Sequence, residues 1–169
     1  MTGSRQSHDA PKKKTPKKNL LIVAHTPSAN TQALLAAMLK GANHAEIYDI
    51  DVRYKPALQA TADDIRNCQA IVLFTPENLG YMSGALKDFF DRCYYPVLEE
   101  KQGLPCAIMI RAGYDGTGTR RALETILTGL RWRQVHEVVM LRGQWQDAFL
   151  AQAEEVGLYM AAGLEAGIW

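Results

Sequence analysis

Residues 70–84 read AIVLFTPENLGYMSG, and this stretch decides the fold. Ala70–Phe74 is apolar throughout, the mark of a strand buried on both faces rather than one that alternates between core and solvent. The run that follows, Thr75 to Gly84, carries Pro76, which stiffens the strand exit, and two glycines, Gly80 and Gly84, that permit close backbone approach to a flat ligand. From Ser83 to about Glu99 the spacing predicts a long helix with Leu86, Phe89, Cys93 and Val97 on one stripe. A buried strand, a glycine-bearing loop and a helix in that order are one half of a parallel crossover unit.

The same alternation extends in both directions. Upstream, Leu20–Ala24 (LLIVA) is another continuous apolar run, followed by a helix over Asn30–Lys40 and a weaker strand over Ala45–Ile50. Thr61-Ala-Asp-Asp64 has capping-box spacing and opens a short helix to about Cys68. Downstream come a strand over Pro105–Ile110, a helix over Thr117–Leu130, a strand over Val135–Leu141 and a terminal helix over Gln146–Ala166. Strands that alternate with helices imply a three-layer α/β sandwich: a five-stranded parallel sheet in the order 2-1-3-4-5, with helices on both faces. Ligands of such sheets bind beyond the carboxyl ends of the strands where the order switches, which singles out the loops after Ala24 and Phe74.

The first of these loops, His25-Thr-Pro-Ser-Ala-Asn-Thr31, brings three hydroxyls (Thr26, Ser28, Thr31) and the amide of Asn30 to the start of a helix. Free backbone N–H groups and the positive end of the helix dipole make that place an anion site. It holds no Lys or Arg, so it is not a triphosphate loop, and a neutral donor-rich cradle suits one terminal phosphate. The same residues also serve a plain helix cap. A third loop, Arg111-Ala-Gly-Tyr-Asp-Gly-Thr-Gly118, reaches the same end of the sheet.

The run TPENLGYMSGALKDFFDR, residues 75–92, resembles the flavin-loop segment of the flavodoxin-like NAD(P)H-dependent FMN reductases and quinone reductases. The topology agrees from Asn19 onward. The resemblance implies the flavodoxin-like fold and flavin mononucleotide (FMN) as cofactor, with Thr26, Ser28, Asn30 and Thr31 at its phosphate. It places Pro76, Glu77, Asn78, Leu79, Gly80 and Tyr81 along the isoalloxazine, and Arg111, Gly113 and Tyr114 on its pyrimidine side. It implies NAD(P)H as co-substrate and a quinone or similar small acceptor. The flavin N5 then carries the hydride, so no side-chain catalyst is named. Ala29 stands where the family more often has glycine, which a backbone with negative φ tolerates.

Composition frames this reading. The chain has 169 residues, enough for one domain. Residues 1–18 hold Arg5, Lys12, Lys13, Lys14, Lys17 and Lys18 against Asp9, a charge of +5 that leaves −4 on residues 19–169. That basic tail has almost nothing apolar and is expected to be disordered, ahead of one domain over 19–169. A mildly acidic folded part argues against nucleic-acid binding. No apolar run is long enough for a membrane span, and no leader pattern precedes Leu20, so a cytoplasmic protein is expected. Cys68, Cys93 and Cys106 form no CxxC pair and no metal spacing with the four histidines, and are expected as reduced, packed thiols with no metal. Phe90, Tyr94 and Tyr95 lie off the main stripe of the long helix and suggest a second apolar face, hence a homo-oligomer, dimer or tetramer. Two other readings stay open: a flavodoxin-type electron carrier, a class usually more acidic than this core, and a flavodoxin-fold interaction module without cofactor.

Overall fold

The computed structural model describes residues 14–169. Residues 1–13 of the tail expected over residues 1–18 lie outside the described residues. Within them the chain forms β1 (Lys18–Ala24), α1 (Ala29–Ala42), β2 (Ile50–Pro56), α2 (Ala62–Arg66), β3 (Ala70–Asn78), β4 (Tyr81–Met82) and α3 (Gly84–Val97). Then follow β5 (Pro105–Ala112), α4 (Thr117–Leu130), β6 (Arg133–Gln134), β7 (Val139–Arg142) and α5 (Ala148–Glu165). Lys18 is the first strand residue, so the fold begins one position earlier than its composition suggested.

The sheet runs β2-β1-β3-β5 in parallel, with β6 and β7 both pairing β5 on its outer edge. This is the expected doubly wound order with its fifth strand in two pieces. Pro105 pairs with Arg133 and Met109 with Val139, so the offset grows by two residues across the break. The expected single strand over Val135–Leu141 is thereby corrected: residues 135–138 leave the ladder.

Each central strand divides its side chains between two cores. Leu21, Val23, Ile71, Leu73, Cys106, Ile108 and Ile110 face α2, α3 and α4, while Leu20, Ile22, Val72, Phe74, Ala107 and Met109 face α1 and α5. That explains the unbroken apolar runs, since both faces of the sheet are covered. On the second face α1 and α5 pack backbone to backbone. A Cβ on Gly41 would collide with the carbonyl oxygen of Glu154, and one on Gly157 with that of Met38.

Three further expectations change. The second strand lies at Ile50–Pro56, not Ala45–Ile50. Its Ile50, Val52 and Tyr54 pack inward while charged Asp51, Arg53 and Lys55 alternate with them, as befits the edge of a sheet. Residues 45–49 instead turn beneath α5, where Glu165 Oε1 accepts the N–H groups of Tyr48 and Asp49, both at 2.7 Å. Phe90 is buried in the same core as Phe89, and Tyr94 packs against it, so the proposed second face of α3 shrinks to exposed Tyr95. The three cysteines are buried and unpaired. Burial pushes the thiols of Cys68 and Cys106 up to about 12. Among the described residues no helix is long and apolar enough to cross a membrane.

Candidate active site

The carboxyl ends of β1, β3 and β5 meet along one edge. His25 N–H donates to the Phe74 carbonyl (3.1 Å) and Gly143 N–H to that of Ala112 (2.9 Å), which ties neighbouring strand exits together. From that edge three structures project: the 25–28 turn into α1, the β3–β4 hairpin and the 113–116 turn into α4.

Ser28 is the N-cap of α1 in a full capping box with Thr31. Ser28 Oγ accepts the Thr31 N–H (3.1 Å), and Thr31 Oγ1 accepts the Ser28 N–H (3.0 Å) while donating to the Ser28 carbonyl (3.0 Å). Thr31 is only 3% exposed. It therefore braces the loop, whereas exposed Ser28 and Asn30 and half-buried Thr26 remain accessible. Ala29 and Asn30, as the first two helical residues, hold N–H groups that no carbonyl of the helix can take. No acidic residue stands in that first turn. Ala29 does not adopt a positive φ, so its Cβ strains nothing.

The stretch read from sequence as a loop after Phe74 is instead a strand extension and a tight hairpin. Thr75 to Asn78 continue β3, Pro76 stands in register with Arg111, and Glu77 and Asn78 pair with Met82 and Tyr81. The two turn residues are Leu79 (φ 53°) and Gly80 (φ 74°). Both central residues in the left-handed region is the signature of a hairpin turn matched to strand twist. Glycine takes that conformation freely, but leucine rarely does, and the Leu79 side chain is fully exposed. Buried Thr75, which sequence reasoning passed over, fixes the hairpin base: its Oγ1 accepts the Ser83 N–H (3.0 Å) and donates to the Pro76 carbonyl (2.8 Å). Ser83 Oγ in turn caps α3 at Leu86 N–H (3.2 Å). The only clue in the sequence was a Thr-Pro pair at a strand exit. Glu77 is half-buried, and its Oε2 is shielded from solvent without a hydrogen-bond partner.

In the third loop Gly113 and Tyr114 are exposed, with Tyr114 88% accessible. Arg111 is a strand residue whose guanidinium turns inward. It donates to the carbonyls of Ala112 (2.7 Å), Leu141 (3.0 Å) and Gly143 (2.7 Å) and lies over the Phe149 ring. It staples β5 to β7 behind the loop. Gly118, another residue missed from sequence, lets the start of α4 abut the hairpin: a Cβ there would collide with the carbonyl oxygen of Gly80. Arg142 Nε donates to the Asp115 carbonyl (2.6 Å) and places a cation at the same loop.

This architecture matches the NADPH-dependent FMN reductases over residues 18–146. The chain belongs to that family. Its flavodoxin-like fold agrees with that membership. A flavodoxin of Aquifex aeolicus (strain VF5) is 30% identical over 112 residues, 66% of this chain and 59% of that protein, so the match spans less than two thirds of the relative's length. Among solved structures, a flavodoxin from the domain Archaea superposes with a TM-score of 0.72 at 18% identity, covering 86% of this chain and 98% of its own. A flavodoxin, WrbA-like protein from Agrobacterium tumefaciens gives 0.66 at 17% identity, over 86% and 96% of the two chains. These two likenesses bear on the fold alone.

FMN fits the residues present. The uncontested N–H groups at the start of α1 suit a phosphate. The partnerless Glu77 oxygen is a buried acceptor that a ring N–H on the ligand edge would satisfy.

Proposed function

We propose that the chain is an NAD(P)H-dependent FMN or quinone reductase whose site is the three-loop edge. The observation that carries this reading is the exposure of Leu79, Tyr81 and Tyr114 along that edge, Leu79 on the strained hairpin tip. Apolar side chains held into solvent by a rigid frame form a surface against which a planar co-substrate stacks. FMN supplies the hydride chemistry when bound. The chain's own residues bind and orient: Thr26, Ser28, Asn30 and the amides of Ala29 and Asn30 take the phosphate, while Thr31 braces them. Residues 76–81 run along the ring, with Glu77 accepting from its edge and Gly80 presenting backbone polar groups. Gly113 and Tyr114 flank the opposite side, and Arg111 acts by positioning that loop. Exposed Tyr95 on α3 is the point at which a second copy would pack.

Steady-state oxidation of NADH or NADPH by the FMN-loaded protein with a benzoquinone acceptor tests the reading. Turnover well above that of free FMN is expected. The 30% identity to a flavodoxin favours a second reading, an electron carrier. A protein that retains FMN without oxidising either nicotinamide would support the carrier and overturn the reductase.

A further inference from the structure

We propose that the amino-terminal end of the sheet carries a second ligand site, for a phosphate monoester with an apolar body. Lys18 at the start of β1, Lys101 in the turn before β5 and Arg133 in β6 line one cleft of about 400 Å³, a volume in the range of small-molecule sites. The cleft lies at the opposite end of the strands from the flavin edge. The eight residues of β5 separate the two by about 25 Å at the usual rise per residue. The inference therefore stands apart from the proposed reductase chemistry.

Lys18 and Lys101 are held by backbone carbonyls but not neutralised. Lys18 Nζ donates to the Leu164 carbonyl (2.9 Å), and Lys101 Nζ to the carbonyls of Cys68 (2.7 Å) and Arg66 (3.4 Å). An ammonium has three N–H groups, so each lysine keeps at least one for a ligand. Among the described residues none of the three pairs with a carboxylate. Glu100, the one acidic side chain in the cleft lining, is held by Arg66 at 2.6 Å.

Beside the cations the same cleft is lined by apolar Leu104, Pro105, Leu164 and Trp169. Trp169 Nε1–H is buried without a partner. Three unpaired cations select a dianion over a single carboxylate, and the arginine fork matches phosphate oxygens in pairs. The apolar wall takes the rest of the molecule.

Calorimetry on the full chain saturated with FMN tests this, with phenyl phosphate, inorganic phosphate and phenol as probes. Phenyl phosphate is expected to bind saturably, inorganic phosphate more weakly, and phenol not at all. Arg133, exposed and without a side-chain hydrogen bond among the described residues, is the first substitution. Arg133→Gln should weaken phenyl phosphate binding about tenfold, the effect of one lost charge-assisted bond, and leave FMN retention unchanged. Lys101→Gln should act likewise. Capture by phosphatidic acid vesicles that fails with Arg133→Gln would identify a lipid headgroup as the phosphate source, and phenyl phosphate binding without capture a free ester. No saturable binding of either phosphate, or binding indifferent to both substitutions, would overturn the proposal.

Discussion

Ser28 is a helix cap and, in the proposed site, a phosphate donor, and the two tasks are separable by measurement. As N-cap it accepts the Thr31 N–H, and loss of such a cap costs about 0.5–2 kcal/mol. As a phosphate donor it contributes about 1.5–3 kcal/mol to FMN binding. Ser28→Ala should therefore melt earlier and bind FMN roughly tenfold more weakly, yet bind riboflavin, which lacks the phosphate, as wild type does. Equal loss for both ligands would move the phosphate elsewhere. At the hairpin tip the expectation for Gly80 sharpens. No atom lies within 4 Å of a Cβ built there, so its constraint in the unliganded protein is the φ of 74° alone. Gly80→Val should then impair flavin binding at about 1–3 kcal/mol of backbone strain. Leu79→Gly should raise the melting temperature of the apoprotein by relieving the same kind of strain, and a fall would show that the leucine packs. The thiols offer a pH test. Burial raises Cys68 and Cys106 from 9.0 to about 12, so the folded state favours their neutral form. That contribution is whole below pH 9 and is lost as pH rises toward 12. Urea midpoints should fall across that window, and a thiol reagent should leave all three cysteines of the native protein unmodified at neutral pH. The capping loop over Ser28 and Thr31 was legible because its partners are adjacent in sequence, whereas Thr75 and Gly118 act on residues several positions or an element away.

Among the elements, the close pair α1 and α5 sets where the proposed phosphate loop sits, because Ser28 caps α1 and α1 is seated on α5 through glycine contacts. Gly157→Ala forces a Cβ against the Met38 carbonyl, and backbone cannot yield as a side chain can. A loss of about 1–3 kcal/mol in urea denaturation is expected, with weakened FMN binding because the helix start shifts. Unchanged stability would mean that the helices separate at no cost. Element type was readable almost throughout, since runs buried on both faces admit few alternatives to a parallel strand. Two of the misses lie at the edges of the sheet. The second strand hid behind alternating charges in Ile50–Pro56, and the fifth was read as continuous because its break lies in contacts with β5 rather than in composition. The hairpin was taken for a loop because Pro76 cannot donate to a ladder, though here it stands in a strand beside Arg111.

At the scale of the molecule, the two proposed sites lie at opposite ends of the sheet, the three-loop edge at the carboxyl ends and the cleft at the amino ends. A chain beginning at Lys17 should consequently keep its FMN affinity, because Lys18 is the first residue paired into the sheet. A large loss would show that the removed segment reaches the pocket. The central claim is that the three-loop edge holds FMN for reduction by a nicotinamide. Its most direct test is anaerobic titration with NADPH of protein loaded with FMN and desalted, followed by visible absorption. The account predicts that the flavin bands survive desalting and bleach saturably as NADPH is added. Flavin lost on desalting, or bound flavin that NADPH leaves coloured, would contradict it.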